Sequence, residues 1–122
     1  MNFNLTQIPE RTPQPRISGL TMVMDKGLSI NEVHDFMSVC GPHTDIVKLG
    51  FGTAFVTPNL REKIEVYHSY NVPIYFGGTL FEAFLIRNQF DDYIAYFHIC
   101  DTIIFTDSDI IIKLVADQKG FK

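Results

Sequence analysis

The 122-residue sequence has no tryptophan, only two cysteines, and no apolar run approaching the roughly 20 residues that a membrane span requires. Cys40 and Cys100 form neither a CxxC pair nor a disulfide framework, which suits a reducing compartment. The opening MNFNLTQIPERTPQPR lacks the apolar centre of a secretory signal, so the cytoplasm is the expected location. Neither sign of charge is massed in a block: 14 acidic and 10 basic residues give a net charge of -4, and no basic footprint for nucleic acid emerges. His34, His43, His68 and His98 show no HxxxH-type spacing, which argues against a zinc site, and no nucleophile elbow is present. Small molecules or other proteins remain as partners.

What is present reads as one folded domain, with 46% hydrophobic and 20% charged residues. Residues 1–18 hold three of the six prolines and few clustered apolar positions, an extended arm ahead of a domain over 19–122. Leu20 to Met24 reads as a buried strand that ends in the charged turn Asp25-Lys26-Gly27. Ser29 with Glu32 three positions later has the spacing of a capping box, and Val33, Phe36, Met37 and Cys40 form one apolar stripe before Gly41-Pro42 stops the helix. Asp45 to Leu49 is a second strand, closed by Gly50-Phe51-Gly52. Thr57-Pro58 is expected to open a second helix, with Leu60, Ile64 and Tyr67 on its buried face. Val72 to Phe76 is a third strand ended by Gly77-Gly78, and Thr79 with Glu82 repeats the capping-box spacing. Thr102 to Phe105 is a fourth strand, followed by Thr106-Asp107-Ser108-Asp109.

Strands and helices alternating at intervals of roughly 24 to 30 residues indicate an α/β chain with a parallel sheet and right-handed crossovers. In such sheets ligands sit at the carboxyl ends of the strands, where helix N-termini turn their N–H groups toward anions. The unusual residues gather at those ends: Asp25-Lys26-Gly27, Lys48 with Gly50 and Gly52, Gly77-Gly78-Thr79, and Asp107.

Lys48 interrupts an otherwise apolar strand, and a buried ammonium needs either a bound anion or a carboxylate such as Asp25. Asp25 and Lys26 suit a divalent metal and an anion, or equally an ordinary solvated turn. The glycines permit close approach of backbone to a phosphate, although they match no dinucleotide or P-loop fingerprint. Glu82 is either a cap for Thr79 or a site carboxylate, and Asp107 either a metal ligand or a helix cap.

Three stretches, Pro15 to Gly27 (PRISGLTMVMDKG), Asp45 to Thr53 (DIVKLGFGT) and Pro73 to Glu82 (PIYFGGTLFE), resemble the phosphosulfolactate synthase family in sequence and order. The pattern is close from residue 15 to about residue 95. Beyond it, Ile104 to Asp109 is similar to a shortened form of the family's E-[VI]-S-D-G-[ST] strand end, with Ile104 standing nearest the motif's Glu, Ser108 in place of Gly, and only Asp107 carried over.

The resemblance implies a (β/α)8 barrel, a fold of roughly 250 residues, so this chain reads as about half of one. It also implies magnesium-dependent addition of sulfite to phosphoenolpyruvate, giving (2R)-phospho-3-sulfolactate. Under that reading Asp25, Glu82 and Asp107 are the expected Mg2+ ligands, and Lys48 and Glu82 the expected catalytic groups. Arg16, Lys26, Gly50, Gly52, Thr53, Gly77, Gly78 and Thr79 are the expected contacts to phosphate or sulfite. The alternative expectation is a truncated, inactive half-barrel that binds anions or associates with another chain, and homo-oligomerisation is open in either case.

Overall fold

The computed structural model describes residues 2–100, and the side chains through residue 96. The expected strand Thr102 to Phe105, and Asp107 after it, lie outside the described residues. Three parallel strands in the order β1-β2-β3 form the sheet: β1 Met22–Asp25, β2 Ile46–Leu49 and β3 Ile74–Phe76. The helices are α1 Ile30–Cys40, α2 Thr53–Val56, α3 Leu60–Ser69, α4 Gly78–Ile86 and α5 Phe90–Cys100. Among the described residues no helix is long and apolar enough to cross a membrane.

The α1 capping box forms as its spacing requires. The Glu32 N–H donates to Ser29 Oγ at 3.2 Å, and the Ser29 N–H donates to Glu32 Oε1 at 3.0 Å. The bond from the Ser29 backbone N–H, together with the Ser29 hydroxyl, holds the Glu32 carboxyl below its ordinary range. Two other helix starts differ from expectation. Thr57 does not cap the next helix: its hydroxyl donates to the Thr53 carbonyl at 2.6 Å, closing the short α2. Pro58 forces the residue before it into extended backbone, and α3 begins only at Leu60, after Asn59 in a left-handed conformation. Thr79 does not cap α4 either, because the strand ends at Phe76 and Gly77 takes the N-cap position with no side-chain cap bond. The Thr79–Glu82 capping box therefore does not exist. Helix α5, beyond the elements expected from the sequence, carries Phe90, Tyr93 and Ile94 at helical spacing, with Asp91 and Asp92 in its first turn.

Register fixes which residues share a face, since successive side chains of a strand alternate. Met24, Lys48 and Tyr75 form one row across the sheet, and Asp25, Leu49 and Phe76 form the next. Val47, Leu49, Ile74 and Phe76 join the core with Val33 and Met37 of α1, Ile64 and Tyr67 of α3, and Leu80 and Phe81 of α4. This is the helix-covered face. Asp25 stands on it, and Lys48 stands on the other.

An acidic side chain inside this layer needs a full set of donors. Asp25 is 2% exposed, and Lys63 of α3, 1% exposed, reaches it at 3.0 Å to Oδ1 and 2.9 Å to Oδ2. Tyr67, one helical turn further on, donates its hydroxyl to Oδ2 at 2.6 Å. The N–H groups of Gly27 and Leu28 both donate to Oδ1 at 2.8 Å. Burial raises the Asp25 pKa, and the bonds from Tyr67, Leu28, Gly27 and Lys63 outweigh it, so the carboxyl sits below its ordinary 3.8. Burial and the same bond push the Tyr67 hydroxyl well above its ordinary value.

A second carboxylate ties down the segment before β1, which contains no helix or strand. Asp45 Oδ1 accepts from Arg16 Nη1 at 2.7 Å and from Gln14 at 3.3 Å, and Oδ2 accepts from the Thr21 N–H at 2.7 Å and Arg11 at 3.3 Å.

Replacing Asp25 by Asn leaves the Lys63 ammonium buried without its counter-charge, a change that costs about 3–5 kcal/mol in comparable pairs. Because the Asp25 pKa is lowered in the folded chain, its contribution is present above 3.8 and is lost as pH falls through the folded value. Urea unfolding is therefore expected to show the wild-type chain losing stability below about pH 4. Asp25→Asn should be less stable at neutral pH and should show a shallower decline on acidification.

Candidate functional site

The strand ends converge through atoms that glycines leave uncovered. A side chain placed on Gly27 would meet Thr53 Cγ2 at 3.9 Å, and one on Gly52 would meet Thr79 Cγ2 at 3.7 Å, so the three loops touch in succession. Gly50 lies under Met24, whose Cγ would stand 2.6 Å from any added Cβ. Gly77 lies against the Lys48 stem, with Cε at 3.0 Å and the Leu49 carbonyl at 3.2 Å from the same hypothetical atom. A Cβ at position 50 would stand closer to Met24 than side chains allow, and one at position 77 would press the Lys48 stem and the Leu49 carbonyl back by a few tenths of an ångström.

Lys48 is the one charged residue among Met22, Met24, Ile46, Lys48 and Tyr75, the five that make up the face turned away from the helices. It is half-buried and lies one residue from the carboxyl end of β2. Lys26 sits on the β1 loop with its ammonium 5.6 Å from the centre of the Phe51 ring, a cation–π contact that bridges the first two loops. Phe51 is 62% exposed and holds a left-handed backbone, φ 56°. Lys26, Gly27, Ser29, Thr53, Asn59 and Lys63 border a cavity of about 560 Å³ beside these loops.

Backbone donors are distributed unevenly. The Gly50 N–H donates to the Asp25 carbonyl at 2.9 Å, the Gly77 N–H to the Leu49 carbonyl at 3.0 Å, and the Thr53 N–H to the Gly50 carbonyl at 3.1 Å. Gly78 and Thr79, the first two residues of α4, have no intrahelical acceptor for their N–H groups, and no side chain caps this end. A helix N-terminus with free N–H groups is chemically suited to an anion, and Lys48 lies against Gly77 at this one.

A family model described as (2R)-phospho-3-sulfolactate synthase (ComA) matches residues 9–119. The chain belongs to this family. It is 42% identical over 78 residues to the phosphosulfolactate synthase of Methanocaldococcus jannaschii, covering 62% of this chain and 31% of that protein. With the phosphosulfolactate synthase of Bacillus subtilis it shares 34% identity over 100 residues, 80% of this chain and 40% of the relative. The corresponding protein of Methanothermobacter thermautotrophicus is 36% identical over 87 residues, 70% of this chain and 34% of that one. The chain thus spans about a third to two-fifths of the length of the curated relatives it matches.

Against the site expected from the family resemblance, several residues stand elsewhere. Asp25 neither pairs with Lys48 nor faces the strand-end loops as a free carboxylate: it points into the helix layer, and its oxygens are taken by Lys63, Tyr67, Gly27 and Leu28. Glu82 is exposed to solvent one turn into α4, away from the capping contact expected of it. Asp107 lies outside the described residues. Among the described residues no three His, Cys, Asp or Glu side chains come together as metal ligands, and Asp25, one of the carboxylates expected at Mg2+, has both oxygens engaged within the chain.

Arg16 lies at the other end of the sheet, bound to Asp45 just before β2 and to the Pro42 carbonyl at 3.4 Å, with its side chain 7% exposed. Gly50, Thr53 and Gly77 have their N–H groups engaged within the chain, so their part is to shape the loops. Of the other expected contacts, Gly52 lies against Thr79, the Lys48 stem lies against Gly77 next to Gly78, and Lys26 stands over Phe51. Two residues outside the expected set matter here. Tyr75 is the buried neighbour of Lys48 in register, visible in principle from strand alternation. Lys63 interrupts the apolar stripe Leu60, Ile64, Tyr67, the same signal that drew attention to Lys48.

The placement of Arg16 separates stability from ligand binding. Arg16→Ala removes a charge-assisted bond to Asp45 and should cost about 2 kcal/mol in urea unfolding. Its affinity for inorganic phosphate, followed by NMR shifts of the Gly78 and Thr79 amides, should equal that of the wild-type chain. A weakened phosphate affinity would return Arg16 to the site.

Proposed function

We propose that this chain carries the part of a phosphosulfolactate synthase active site that holds phosphoenolpyruvate and stabilises the charge formed when sulfite adds to it. The observation that carries this reading is Lys48, a strand lysine on the face of the sheet opposite the helix-packed core, with its stem against Gly77 at the α4 N-terminus. We infer that the three strands are the opening strands of a (β/α)8 barrel, with the row Met24, Lys48, Tyr75 turned toward its interior.

In the proposed reaction the sulfur lone pair of sulfite forms a bond to the methylene carbon of phosphoenolpyruvate. The π electrons of the carbon–carbon double bond move into the carboxylate, producing an enediolate with an added negative charge. A proton delivered to the carbon bearing the phosphate ester then gives (2R)-phospho-3-sulfolactate. Lys48 is suited to both demands: its fixed positive charge opposes the enediolate charge, and an ammonium can donate the proton. The Gly78 and Thr79 N–H groups and Lys26 are suited to the phosphate ester. Magnesium is the family expectation and would supply Lewis-acid stabilisation of the enediolate, and the steps above are assigned to this chain's own residues. The reading takes the cytoplasm as the compartment and leaves self-association open.

A second reading is an anion-binding chain without turnover of its own, for which the N–H groups at the α4 N-terminus and the Lys26 cation would suffice. One assay separates the two: sulfite-dependent loss of phosphoenolpyruvate on the purified chain, with and without Mg2+, alongside phosphate binding. The synthase reading expects turnover that falls about 100-fold or more in Lys48→Ala and is partly kept in Lys48→Arg. Phosphate binding without turnover would select the second reading, and unchanged turnover in Lys48→Ala would remove Lys48 from the mechanism.

A further inference from the structure

Asp25 is committed to contacts from two directions, and its partners join the helix layer to the strand-end loops. On one side Lys63 and Tyr67, 38 and 42 residues away in sequence, grip both carboxylate oxygens. On the other, Oδ1 receives the N–H groups of Gly27 and Leu28, the two residues that follow Lys26. Gly27 itself holds φ 114°, a conformation that favours glycine, so the turn depends on the Asp25 bonds to stay in one shape. Lys63 also borders the cavity shared by Lys26, Gly27 and Thr53, which makes the path from α3 to the loop one side chain long.

We propose that Lys63 and Tyr67 are positioning residues that act through Asp25, fixing the Lys26–Leu28 turn so that the Lys26 ammonium stands ready for an anionic substrate beside Thr53. The geometry is asymmetric in a useful way. Neither residue offers its polar atoms to the ligand, since Asp25 occupies them, yet both set where the Lys26 ammonium that meets the anion sits. Removing the Tyr67 hydroxyl leaves its ring in the core and the Lys63 ion pair in place, so it loosens the carboxylate without unpairing a charge. Replacing Lys63 removes the counter-charge and has the larger effect. The functional consequence rests on the anion-binding role proposed for Lys26, while the control of the turn itself does not.

The test uses Tyr67→Phe and Lys63→Met in the full chain, with Tyr67→Phe as the variant that retains the fold if Lys63→Met does not. Amide hydrogen exchange is read at Gly27 and Leu28 and compared with Val47 in the centre of β2, and inorganic phosphate is titrated against each variant. The expected result for Tyr67→Phe is about tenfold faster exchange at Gly27 and Leu28 with Val47 unchanged, together with severalfold weaker phosphate binding. Exchange that accelerates equally at all three amides, or does not change at Gly27 and Leu28, would reduce the pair to general stabilisers and overturn the proposal. A selectively loosened turn with unaltered phosphate affinity would overturn its functional half. Failure of the wild-type chain to bind phosphate would instead count against the anion site of the proposed function, while the exchange comparison would still decide whether Lys63 and Tyr67 govern the turn.

Discussion

The buried Asp25 carboxylate is the constraint from which the rest of the described structure follows. Moving a charge out of water costs several kcal/mol even after relaxation, so it persists only where geometry and hydrogen bonding repay that cost. Here the repayment comes from Lys63, Tyr67 and two backbone N–H groups, drawn from α3 and from the β1 loop. The carboxylate therefore fixes three things together: the end of β1, the approach of α3 to the sheet, and the turn that leads into α1. An apolar side chain at this position could fill the space but could not hold the turn.

The same residue shows how strand parity sorts structural from chemical roles. Asp25 and Lys48 lie close in the sheet, but Lys48 is in register with Met24, so the two side chains leave opposite faces. The helix-covered face takes the acid and satisfies it internally. The other face keeps the base at the strand end, where Gly77 makes room for its stem. Parallel strands with helices packed on one side, and helix N-termini at the carboxyl ends, concentrate positive potential in that region. The exposed aromatic ring of Phe51 and the Lys26 cation over it stand at the margin of that region.

Local signals were the legible ones. The Ser29–Glu32 capping box lies wholly within one helix turn and forms as its spacing requires, and β2 and β3 fall within the expected runs, whereas β1 takes in Asp25, which the pattern assigned to the turn. The identical Thr79–Glu82 spacing failed because the cap position is decided by where the preceding strand stops, and Gly77 follows β3 directly. Arg16 lay inside a family motif, yet its partner Asp45 is 29 residues away at the opposite end of the sheet, a contact no local pattern encodes. The role of Asp25 required both the parity of β1 and the presence of a lysine inside the α3 stripe. The family was legible from the motifs around residues 15–27, 45–53 and 73–82, and the family match over residues 9–119 extends beyond them at both ends.

The central claim is that Asp25 belongs to Lys63 and to the architecture, and a double-mutant cycle tests it most directly. Unfolding free energies of the wild-type chain, Asp25→Asn, Lys63→Met and the double variant give the coupling between the two side chains. The account predicts a coupling of about 2 kcal/mol or more, with the double variant more stable than the sum of the single losses allows. Single losses that add to within about 0.5 kcal/mol would contradict it and free Asp25 for another partner.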